Sequence, residues 1–248
     1  MSATSEPASQ VLPEGTVPLS LNTRGVGAVT IVRCSGRIVA GETEILRKHV
    51  SELLRDRTEI LLHLGEIVFI DSSGLGTLVR LLTSTRTARG DLKLCHVPED
   101  IHKVLKLTRL ITLFDTYATE EEAVRAFYHR QTTQAKAPKS GLTVLCIDHS
   151  ADVLAYLREL LASAGYHVLT SSNLRDSLIL LRATRPELTI LGPNVKASEG
   201  TEHAFKLASA GSSVVELGND FSTLEASQAT SDLLEKLRAL GHAGPAAS

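Results

Sequence analysis

The sequence predicts an α/β protein of two domains: a mixed sheet covered by helices over residues 17–128, then a doubly wound parallel sheet over residues 141–240. Three observations carry this. The chain has 248 residues, longer than the commonest domain size of about 100–150. Short apolar runs alternate with segments whose apolar residues recur at helical spacing. The stretch HRQTTQAKAPKS, residues 129–140, lacks any large apolar side chain and reads as a linker between the two patterned regions.

Residues 1–16 are polar and rich in proline, too poor in apolar area to offset the entropy of ordering them, and read as a flexible tail. In the first domain, Ala28 to Val32 followed by Ser35-Gly36 predicts an early strand ending in a turn. Leu46, Val50, Leu53 and Leu54 place a helix over residues 42–56. The runs Ile60–Leu64 and Ile67–Ile70 lead straight into Asp71-Ser72-Ser73-Gly74, a strand ending at a helix start. Leu75, Leu78, Val79 and Leu82 line that helix, which should stop near Arg89-Gly90, where a glycine accepts left-handed backbone. A strand over 92–97, a helix over 100–108, a short apolar stretch at Leu113-Phe114 and a last helix over 120–128 complete the half.

The second half repeats strand and helix regularly, with strands at 144–147, 166–169, 188–191 and 214–217 and helices near 152–164, 174–183, 201–210 and 231–240. Such alternation implies a parallel sheet. Residues 241–248 form a second tail.

Composition narrows the function. Twenty-six basic against 28 acidic side chains leave a net charge of −2, so nothing draws the whole chain to nucleic acid or to an acidic membrane surface. The basic residues of the linker are few and have no interleaved aromatics. Cys34, Cys95 and Cys146 stand singly, without CxxC spacing, and read as buried thiols in a reducing compartment. No basic start with an apolar run follows Met1, and no stretch approaches the about 18 apolar residues that span a bilayer, so a cytoplasmic location is expected. Nine histidines form no HxH, HExxH or His-Cys cluster, and neither a metal site nor a cofactor is expected. A hydrolase elbow would need glycine where Ile70 stands, and a dinucleotide fingerprint would need glycine where Val79 stands, so no enzyme activity is expected.

The chemistry concentrates in Phe69-Ile70-Asp71-Ser72-Ser73-Gly74-Leu75-Gly76. Asp71, Ser72 or Ser73 can accept hydrogen bonds from the free N–H groups of the first helical turn, worth about 0.5–2 kcal/mol. A serine at such a corner is also open to a kinase, and phosphate there would add about 1.5–2 negative charges to a docking surface. The paired glycines are expected from tight packing at the helix start.

These residues, with the helix TLVRLL, the strand DLKLCHV and the helix HKVLKLTRL, make residues 17–128 resemble a STAS domain of the anti-sigma-factor antagonists. The resemblance implies that Ser72, with Ser73 as the alternative, is phosphorylated by an anti-sigma factor with serine-kinase activity. It implies that only the unphosphorylated form binds this partner, through residues Asp71 to Gly76. One departure matters: the family often carries an acidic turn after the second strand, whereas this chain reads Gly36-Arg37-Ile38-Val39. A constitutive scaffold without a phosphate cycle is the alternative.

Residues 141–240 resemble a flavodoxin-like response-regulator receiver, on V-L-C-I-D-H at 144–149 and R-P-E-L-T-I-L-G-P at 185–193. Receivers need an acidic pair for Mg²⁺ and an aspartate as phosphoryl acceptor. Here Asp148 keeps one acid, His149 replaces the other, and Gly192 stands at the acceptor position. The resemblance therefore implies a pseudo-receiver used for docking or for forming a homodimer; a generic flavodoxin-like domain unrelated to receivers is the alternative.

Overall fold

The computed structural model describes residues 17–134, 142–195 and 211–218, with residues 205, 209, 233, 235 and 237. Both tails, residues 135–140 of the expected linker and most of the helices expected near 201–210 and 231–240 lie outside these residues.

The first sheet has the order β1-β2-β3-β4-β5. Strand β1 (Ser20–Val26) runs antiparallel to β2 (Val29–Ile38). Strands β3 (Glu59–Ile70), β4 (Asp91–Cys95) and β5 (Thr116–Tyr117) continue parallel to β2, so the sheet is mixed as expected. Its helices are α1 (Thr43–Leu53), α2 (Ser72–Thr87), α3 (Glu99–Leu107) and α4 (Glu120–Gln134). Strand periodicity separates two cores. Ile60, Leu62 and Leu64 of β3 pack with Leu46 and Val50 of α1, Leu78 and Leu81 of α2, and Leu105 of α3. Leu61 points to the other face, against Val124 and Phe127 of α4.

The second sheet is fully parallel, with the order β7-β6-β8-β9. It comprises β6 (Thr143–Ile147), β7 (His167–Ser171), β8 (Leu188–Leu191) and β9 (Ser213–Glu216). Helices α5 (Ala151–Ser163) and α6 (Leu174–Thr184) start at Ser150 and Asn173, whose side chains accept the N–H of Val153 and Asp176. Val144 and Cys146 face Leu157 and Leu161 of α5, and Leu145 and Ile147 face the opposite side.

That opposite side is shared between the sheets: Leu145, Leu169, Leu174 and Leu180 join Val29, Ile31 and Phe127 in one apolar cluster. The two cores expected from the sequence are thus joined by a third, at the junction. Arg24 of β1 forms ion pairs with Glu120 of α4 and with Asp176 of α6, and Arg182 pairs with Glu121 at 3.2 Å. Gly27 turns β1 into β2 with φ of 60°, and a Cβ there would stand 2.2 Å from the Tyr128 hydroxyl and 3.0 Å from Leu180.

Three expectations are corrected. Ser35-Gly36 is no turn: β2 runs through it, and a bulge shifts the register there, with Gly36 at φ of 95° beneath the Pro18 carbonyl. At the end of α2 the left-handed residue is Arg89, φ 62°. Gly90 is needed for space instead, since a Cβ there would lie 1.9 Å from the Thr58 carbonyl oxygen. Helix α4 continues to Gln134, so residues 129–134, expected in the linker, are helical.

Candidate functional site

The corner between β3 and α2 is built around Asp71. The backbone N–H of Asp71 donates to the Ile38 carbonyl at 3.3 Å, which ties the end of β3 to the end of β2. Asp71 is then the N-cap of α2 in extended backbone, and its Oδ1 accepts the N–H of Gly74 at 2.8 Å. Its Oδ2 accepts the N–H of Ala40 at 2.9 Å, in the loop after β2. These backbone donors, Ala40 first and then Gly74, hold the Asp71 carboxyl below the usual carboxylate range, and the charge of Arg37 adds to them. Ile70 and Leu75 flank the cap and are both buried in the first core, at the positions of a hydrophobic staple.

Of the three candidate caps, then, Asp71 does the work, which leaves Ser72 and Ser73 exposed. Neither hydroxyl bonds another described residue; the Ser73 carbonyl accepts from the Thr77 hydroxyl at 2.9 Å. Ser72 is the first residue of α2, where the free N–H groups and the helix dipole favour an anion.

The two glycines differ. A Cβ at Gly74 would meet the Ile38 carbonyl oxygen at 2.2 Å and Ile70 Cγ1 at 2.6 Å, so close approach of α2 to β2 requires glycine there. A Cβ at Gly76 would meet nothing within 4 Å among the described residues. The expectation of tight packing therefore holds for Gly74 and fails for Gly76, which leaves a flat spot on the helix.

Beside this corner the end of β3 departs from strand alternation. Ile67 and Ile70 are buried, whereas Val68 is 70% and Phe69 47% exposed. Arg37 lies over the Phe69 ring, 5.0 Å from its centroid. The apolar run concealed this in the sequence, because continuous hydrophobicity reads as burial on both faces.

In the second domain Asp148 is fully buried and Gly192 lies against it. Asp148 accepts the N–H of Ser150 at 2.6 Å, the N–H of Asn194 at 3.1 Å and the Asn194 side-chain amide at 3.1 Å. A Cβ at Gly192 would stand 2.0 Å from Asp148 Oδ2, so the carboxylate occupies the space that any side chain at 192 would need. His149 is exposed and turned away, its Nδ1 bonded to the Ser172 carbonyl at 2.7 Å.

The structure also overturns the expectation that no His-Cys cluster exists: His63, Cys95 and His96 come together. Cys95 and His96 are adjacent in the sequence, but His63 joins them only through the pairing of β3 with β4, 32 residues away. Among the described residues no helix is long and apolar enough to cross a membrane.

The first half of the chain is similar to known proteins. The STAS domain family model matches residues 20–123. The anti-sigma F factor antagonist of Paenibacillus polymyxa is 29% identical over 98 residues, covering 39% of this chain and 84% of the relative. An anti-sigma factor antagonist from Mycobacterium paratuberculosis is 20% identical, with a TM-score of 0.41, over 44% of this chain and 94% of its own. The antagonist SpoIIAA in its unphosphorylated form is 22% identical, with a TM-score of 0.40, over 44% of this chain and 97% of its own. The chain thus carries a STAS domain over residues 20–123 and has homologues among the anti-sigma factor antagonists.

Proposed function

We propose that the chain is an anti-sigma-factor antagonist that captures a serine-kinase anti-sigma factor while Ser72 is unphosphorylated, and that phosphate on Ser72 releases it. The observation that carries this is the exposed Ser72 hydroxyl at the first position of α2, beside a carboxylate already committed to two backbone N–H groups. A kinase can reach that hydroxyl without unfolding the corner, and Ser73, also exposed, is the alternative acceptor. Phosphate would place about 1.5–2 negative charges next to the charge of Asp71. The helix N-terminus tolerates that anion locally. A partner docked on the surface from Asp71 to Gly76 would have to desolvate it, which is costly without a cation in place. Val68 and Phe69 extend the surface with apolar area, and the flat spot at Gly76 lets a partner approach the helix closely.

The second domain fits a flavodoxin-like pseudo-receiver. Its strand order, β7-β6-β8-β9, begins as that fold does. Gly192 offers no carboxylate to phosphorylate, and the space beside it is taken by Asp148, so its role is contact with other protein surface. The apolar junction with α4 is one such contact. This reading needs no catalysis by the chain and is consistent with work in the cytoplasm.

Binding of the partner kinase to three variants tests the switch. Ser72→Ala should bind as the unmodified chain does, Ser72→Asp should bind at least about tenfold more weakly, by about 1.4 kcal/mol, and Ser73→Asp should have the smaller effect. Equal binding by Ser72→Ala and Ser72→Asp would overturn it in favour of a constitutive scaffold.

A further inference from the structure

Parallel pairing sets Arg33 of β2, His63 of β3 and Cys95 of β4 in one row across the first sheet. His96 follows at the end of β4 in left-handed backbone, φ 51°. One ligand atom from each of His63, Cys95 and His96 lies within 4.8 Å of the others. His63 and Cys95 are buried and His96 is exposed, so the cluster opens to solvent on one side. The imidazole rings stack with centroids 4.4 Å apart. Gly65 makes room for both: a Cβ there would stand 2.9 Å from His63 Cε1 and 3.2 Å from His96 Cβ.

The surroundings of His63 orient it. The Gly65 N–H donates to His63 Nδ1 at 3.3 Å, which gives Nδ1 the lone pair and leaves the proton on Nε2. Nε2 faces the Glu120 carboxylate at 3.9 Å. An ion bound at Nδ1 displaces the long Gly65 bond and keeps the Nε2–H directed at a carboxylate, the order a ligating histidine shows. Glu120 also pairs with Arg24 and Arg33, so it is held in place from two further sides.

We propose that His63 Nδ1, the Cys95 sulfur and the His96 imidazole form a site for a zinc-class divalent ion. Two imidazoles and one thiolate suit a borderline ion, whereas Mg²⁺ and Ca²⁺ want oxygen ligands. Tetrahedral binding with Zn–S of about 2.3 Å and Zn–N of about 2.0 Å puts ligand atoms about 3.5 Å apart, so the three side chains close from within 4.8 Å by up to about 1.3 Å and the ring stack opens. The Cys95 thiol loses its proton to solvent as the sulfur–metal bond forms, and a water completes the coordination. The proposal stands apart from the Ser72 switch, and neither depends on the other.

The test is titration of the untagged full chain, stripped with chelator, with Co²⁺ as an optical probe. One equivalent should bind with a thiolate-to-cobalt charge-transfer band that Zn²⁺ then removes. Cys95→Ser should abolish the band. His96→Gln, at an exposed position that leaves the core intact, should weaken binding at least tenfold while circular dichroism stays unchanged. No charge-transfer band in the unmodified chain at excess Co²⁺, or unaltered titration of His96→Gln, would overturn the site.

Discussion

Gly74 and Gly76 lie two residues apart on α2, and replacing each by alanine makes the same chemical change with opposite expected outcomes. Either substitution should gain about 0.5–1 kcal/mol from reduced backbone entropy in the unfolded chain. At Gly76 no described residue stands within 4 Å of the new methyl, so the gain is kept. At Gly74 the methyl would meet backbone, the Ile38 carbonyl oxygen at 2.2 Å, which cannot rotate aside. Relief requires α2 to move off β2, at an overpacking cost of about 1–3 kcal/mol. That movement also strains the Asp71 cap, worth about 0.5–2 kcal/mol. The gap between the two variants should therefore be about 1.5–5 kcal/mol, with Gly76→Ala above the unmodified chain and Gly74→Ala below it. Urea unfolding at neutral pH, with common m values, reads this directly. Equal stabilities would refute the argument that space, rather than propensity, sets Gly74. If Gly76→Ala is more stable yet binds the partner kinase less well, the flat spot is a contact surface, retained at a cost in stability.

Two further outcomes follow from the same geometry. Asp71→Asn should cost about 0.5–2 kcal/mol at neutral pH, since the amide keeps one acceptor oxygen where two are used. Because the folded carboxyl titrates below its ordinary value, its contribution is present above about pH 4 and is lost as pH falls through the folded value. The stability gap between Asp71→Asn and the unmodified chain should therefore shrink on acidification; a gap that is constant with pH would exclude the charged form as its source. Gly192→Asp should fail to create a phosphoryl acceptor, because its Cβ would lie 2.0 Å from the buried Asp148 carboxylate. A loss of at least about 3 kcal/mol in urea unfolding, with no added mass after incubation with acetyl phosphate, is expected; a stable, phosphorylated variant would show that Asp148 can be moved cheaply.

The sequence by itself determined what depends on neighbours along the chain. The alternation of apolar runs and amphipathic segments marks β2 to β4, β6 to β9 and the described helices, because burial periodicity is a local record of which face is covered; β1, SLNTRGV, carries no apolar run, and β5 lies just past Leu113-Phe114. The strand-to-helix corner at Asp71-Ser72-Ser73-Gly74 was equally legible, since a cap acts over three residues; which of three oxygens does the capping was not, because Ala40 reaches Asp71 from 31 residues away. Tertiary structure decided the rest. Ser35-Gly36 has turn chemistry, yet pairing with β3 extends the strand through it. Gly90 looks like a left-handed cap, yet the requirement there is room for the Thr58 carbonyl. Phe69 lies in a continuous apolar run, yet among the described residues no element covers it, whereas Leu61 of the same strand lies in a core shared with the second sheet. His63 and Cys95 become neighbours only through the register of β3 on β4, which is set by long-range pairing and leaves no mark in local spacing.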